Sequence, residues 1–120
     1  MKIVTATLWM TVPLNLAAGV ALSFPASPLG QLIDLPHQSY SFHTLLSGSL
    51  VALFGVVYAW LALQPAVNRG LLFFGACGKT MAVGIAAISY ATGQLSGVTM
   101  VVMCGDLIFA AVWFAWLFTT

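Results

Sequence analysis

The sequence predicts an all-α integral membrane protein, a four-helix bundle of two antiparallel transmembrane hairpins with a short interfacial helix in its first loop. Two observations carry this. Hydrophobic residues make up 62% of the 120 residues and charged residues only 4%, too little polar surface to cover a soluble globule. The apolar residues also fall into four blocks, each near the roughly 20 helical residues needed to cross a hydrocarbon core of about 30 Å. They run from Ile3 to Phe24, Thr44 to Leu63, Leu71 to Ala91 and Val98 to Phe118, and together they read as one transmembrane domain.

The first block follows Lys2, as a secretory signal would, but its apolar stretch exceeds a typical signal core, so it is expected to be a retained helix. Asn68 ahead of the third block and Ser96 ahead of the fourth are the expected N-caps. The short connections make neighbouring helices antiparallel. In the longer first loop, Ser27-Pro28 reads as a cap followed by proline at the first helical position, and Leu29, Leu32 and Ile33 recur at helical spacing.

Lys2 and Arg69 fall on one side of this layout and Asp34 on the other. The positive-inside rule then puts both termini in the cytoplasm, and the expected location is a bacterial inner membrane. Trp60, Trp113 and Trp116 are expected at the cytoplasmic boundary and Tyr90 at the opposite one. The net charge of +1 offers no basic surface for nucleic acid.

Two ionisable residues are forced into the apolar blocks, Lys79 and Asp106, each at a cost of roughly 2.5–3.5 kcal/mol on insertion scales. Counting a rise of about 1.5 Å per residue from opposite ends brings their backbones to within about 5 Å in depth, a gap a lysine side chain spans. Asn15 of the first helix falls at comparable depth, so a polar cluster of Asn15, Lys79 and Asp106 is expected near the midplane. Its roles divide between fixing helix register and binding a ligand or moving an ion. Pro13 removes a helix hydrogen bond near that point. Gly78 and Gly105, each preceding a charged residue, are expected to allow close helix approach, with Ala82 and Ala86 continuing a packing seam.

The first loop reads as a connector; the alternative is a lid whose Asp34, His37 and His43 flank an entrance. The spacing of these three makes a poor metal signature, and no metal site is expected. Cys77 and Cys104 lack a CxxC frame and are expected as small buried apolar residues. Gly78-Lys79-Thr80 lacks the upstream frame of a phosphate loop. With Asp34 and Asp106 the only acids, no catalytic constellation is recognisable and a non-catalytic role is expected.

Gly19 in the first helix, Gly78-Lys79 in the third and the run Gly105-Asp106-Leu107-Ile108-Phe109-Ala110 in the fourth resemble the DoxX-like group of small four-helix bacterial membrane proteins. That resemblance implies an accessory subunit of a quinone-linked membrane redox complex. The residues themselves favour binding of a lipophilic small molecule or of a partner membrane protein around the polar cluster, and a quinone is the lipophile that the resemblance implies. A small transporter or channel, which would require self-association, is the alternative. For a quinone, Trp9, Tyr58 and Trp60 are the candidate slot.

Overall fold

The computed structural model describes residues 2–36 and 41–120, and every element in them is helical. α1 spans Lys2–Ser23, α2 Pro28–Leu32, α3 Ser41–Leu63, α4 Arg69–Ala91 and α5 Gly97–Thr119. The four long helices have 22 or 23 residues, about 33–35 Å each, and all four are long and apolar enough to cross a membrane. Met10, Leu53, Val56, Ile88, Val101 and Ile108 are among many large apolar side chains on their outer faces. Such a surface is stable against lipid and not against water, which marks a membrane helical protein in contact with the bilayer.

The helix starts follow local chemistry. Asn68 accepts a hydrogen bond from the Leu71 amide at 3.1 Å and Ser96 from the Thr99 amide at 3.3 Å, satisfying donors that a first helical turn leaves open. Ser27 caps α2 through the Gly30 amide, with Pro28 at the first helical position. α3 and α4 begin three and two residues before the apolar runs do. Ser41, Phe42 and His43, and Arg69 and Gly70, tolerate helical geometry without adding to an apolar run.

Packing divides the long helices into two pairs. α1 lies along α3 in opposite sense, Gly19 against Gly48 and Ala52, and Asn15 against Val51 and Gly55. The approach is close: a Cβ on Gly48 would lie 1.9 Å from Ser23 Oγ and 2.5 Å from the Gly19 carbonyl oxygen. Only glycine permits that spacing. α4 lies along α5, with Lys79 beside Asp106 and Phe73 beside Phe114 and Phe118. Arg69 donates to the Leu117 carbonyl and stacks over Trp116, placing a cation where α5 leaves its last carbonyls open.

The pairs join in a core at one end, where Val4 and Leu8 of α1 and Tyr58 and Leu61 of α3 meet Leu72, Ala76 and Trp113. Trp113 is fully buried there and donates from Nε1 to Thr7 Oγ1 at 2.9 Å. This overturns its expected place at the membrane boundary, because an indole with an internal acceptor needs no headgroup to satisfy its N–H. At the other end the loop after α2 is tied to α5: buried Thr99 donates to the Ile33 and Asp34 carbonyls, and Ser96 to Asp34. Asp34 takes a left-handed φ of 56°, which turns its carbonyl into reach.

Two expectations fail here. A Cβ on Gly78 would meet nothing closer than Phe54 at 3.8 Å, and one on Gly105 nothing within 4 Å, so neither brings helices together. Cys104 is exposed and Cys77 half-buried, so neither is the fully buried small apolar residue expected.

The glycine contrast gives a stability test in detergent micelles. Gly48→Ala should lower stability by about 1–3 kcal/mol, the usual cost of overpacking. Gly84→Ala, mid-helix with open space at its Cβ, should raise it by about 0.5–1 kcal/mol. Equal thermal melting of both variants would contradict the α1–α3 packing.

Candidate functional site

The site is built around the ammonium of Lys79, which is 4% exposed in the middle of α4. Nζ lies 3.0 Å from Asp106 Oδ1 of α5 and 3.3 Å from Asn15 Oδ1 of α1. It also sits over three aromatic faces, 5.1 Å from the centroid of Tyr58, 5.4 Å from Phe109 and 5.8 Å from Trp113. Each contact offsets part of the cost of removing an ammonium from water: a full opposite charge, an amide dipole and the negative faces of three rings. The structure thus brings Asn15, Lys79 and Asp106 together.

Asn15 is held from two sides. Its Nδ2 donates to the Val51 carbonyl of α3 at 3.0 Å, and its Oδ1 accepts from Thr11 at 3.2 Å as well as from Lys79. The amide is therefore oriented with oxygen toward the cation. Thr7, Thr11 and Asn15 follow at intervals of four along α1 and so share a face. Thr7 accepts from Trp113, and Thr11 is fully buried. This polar ladder escaped the sequence reading, although a four-residue spacing of hydrogen-bonding groups in an otherwise apolar helix was there to be read.

Beside the cluster lies a cavity of about 330 Å³ between the two helix pairs. Asn15, Tyr58, Lys79 and Asp106 supply its polar end, and apolar residues of all four long helices, Leu14, Leu50, Phe54 and Met103 among them, supply the rest. Gly78, Ala82 and Gly105 border it. Of the expected packing seam along α4, Gly78 and Ala82 thus line an open space, while Ala86 is buried. Asp106 retains 33% exposure, in contrast to Lys79.

The aromatic slot proposed from sequence is only partly assembled. Tyr58 lines the cavity, while Trp9 and Trp60 are 44% and 52% exposed and do not.

A second cavity of about 590 Å³ lies at the loop end, lined by His43, Pro36, Thr44, Ile85 and Gln94 among others. Asp34 does not line it, its side chain being exposed, and His37 lies outside the described residues. Of the expected entrance, the described residues place His43 beside the turn between α4 and α5 and leave Asp34 outside the cavity lining. No group of three metal-ligating side chains occurs among the described residues.

No family model matches the chain, and no curated protein and no solved structure matches it either. The resemblance to DoxX-like proteins rests on the quoted residues alone.

The cluster geometry predicts a coupled pair. Lys79→Met should cost about 3 kcal/mol of stability, the low end of the range for orphaning a buried charge, since Asp106 keeps a third of its exposure. The double variant Lys79→Met with Asp106→Leu should recover most of that loss. Reversible unfolding in micelles measures both; equal losses in single and double variants would contradict the coupling.

Proposed function

We propose that this chain is a small, non-catalytic membrane protein that binds a lipophilic small molecule in the cavity between its helix pairs, the molecule's polar group resting on the Asn15–Lys79–Asp106 cluster. The observation that carries the reading is the cavity itself. A polar cluster serving register alone needs no open space beside it. Here about 330 Å³ adjoins the one ion pair among the described residues, within the size range of small-molecule pockets. Its composition, mostly apolar with a few convergent polar groups, suits a molecule that partitions into the bilayer.

The accompanying arrangement is a bundle of two antiparallel transmembrane hairpins in a bacterial inner membrane, termini in the cytoplasm and α2 lying at the outer interface. Arg69 and Lys2 at one end against Asp34 at the other support this orientation. A cysteine at Gln31, an exposed position on α2, should react with an impermeant maleimide added to intact cells. Reaction only after lysis would reverse the orientation.

Ligand binding is tested by filling the cavity. Gly105 borders it and has open space at its Cβ, so Gly105→Leu should occupy the cavity without displacing backbone. Organic extracts of purified wild type should contain a lipophile at near one per chain. Extracts of Gly105→Leu, folded by circular dichroism, should lack it. The same content in both would place any bound molecule elsewhere.

A further inference from the structure

The four polar residues at the cavity differ in what they have left to offer. Lys79 donates to Asp106 Oδ1 and Asn15 Oδ1, lies over three aromatic faces and is 4% exposed, so little of its ammonium is open to the cavity. Asn15 uses its amide oxygen twice and donates to Val51. Asp106 is different: Oδ1 takes the lysine, while Oδ2 has no hydrogen-bond partner among the described residues, and the side chain is a third exposed. The Tyr58 hydroxyl is likewise without a hydrogen bond among the described residues, although the residue is 98% buried and lines the same cavity. Asp106 Oδ2 and the Tyr58 hydroxyl are thus the two side-chain polar atoms of this group that make no hydrogen bond among the described residues.

We infer that the cavity selects a lipophile carrying a hydroxyl group, whose O–H donates to Asp106 Oδ2 and whose oxygen accepts from Tyr58. This rests on the reading of the cavity as a ligand site and specifies its ligand class. A ketone or an ether brings only acceptors, which leaves the carboxylate oxygen unpaired in apolar surroundings, a costly outcome. A carboxylate brings a second negative charge beside Asp106. An alcohol satisfies both open groups and adds no charge to a cluster in which Lys79 and Asp106 already balance. Its chain runs along Leu50, Phe54 and Met103.

The test uses wild-type protein in lipid nanodiscs and a twelve-carbon primary alcohol with a mid-chain diazirine, photolysed and mapped by peptide sequencing. Saturable labelling of Leu50, Phe54 or Met103 is expected, and 1-dodecanol should compete about tenfold better than dodecyl methyl ether at equal membrane mole fraction, as befits loss of a hydrogen bond to a charged acceptor. Tyr58→Phe, which keeps the ring over Lys79, should weaken competition by 1-dodecanol severalfold. Saturable labelling with alcohol and ether competing equally overturns the hydroxyl selection and leaves the cavity reading standing. Non-saturable labelling spread over outward residues such as Val101 and Ile108 overturns both.

Discussion

The Lys79–Asp106 ion pair is the constraint to which the rest of this bundle is fitted. An ammonium within an apolar helix is tolerable only if every surrounding element contributes something to it, and each does. α5 contributes the carboxylate, Phe109 and Trp113; α1 contributes the Asn15 oxygen; α3 contributes the Tyr58 ring and, through the Val51 carbonyl, holds Asn15 in place. Four helices are thereby tied through one nitrogen. In lipid, apolar surface supplies little drive to pair helices, so directional contacts of this kind decide which faces meet.

The remaining contacts divide the labour. α1 and α3 are held by shape, their backbones brought together where Gly19 and Gly48 leave no side chain between them. α4 and α5 are held by the ion pair, the ring contacts of Phe73, Phe114 and Phe118, and the Arg69 clasp on the end of α5. Between the pairs, packing is dense at the Trp113 end and open beside Asp106. The cavity lies where the two helix pairs diverge, bordered by glycines that contribute no side chain to fill the gap.

The sequence made the helices legible because lipid imposes so strict a length and composition on them, and the caps at Ser27, Asn68 and Ser96 are chemical requirements of helix starts. The meeting of Lys79 with Asp106 was legible for a related reason: a buried cation demands an anion, and only one lay at a matching depth. Depth follows from counting residues. Azimuth does not, since it depends on how all the helices rotate against one another. Thus Gly78 and Gly105, the same residue type as Gly19 and Gly48, border open space, and Trp113 turns inward to Thr7 where Trp60 faces out. Cys104 was misplaced on the same ground. The cavity was beyond reach because it is defined by what does not fill it.

Whether the space beside Asp106 is occupied by a lipophile is the central claim, and solid-state NMR of uniformly labelled protein in unlabelled lipid addresses it directly. Proton polarisation would be transferred from acyl chains or from water to the Cα carbons of Gly78 and Gly105. The account predicts transfer from acyl protons at these glycines comparable to that at outward-facing Val101 and Ile108. Shielding as complete as that of Val4 would mean that the pairs close up and the ion pair only fixes register. Transfer from water would replace lipophile binding with a hydrated pathway.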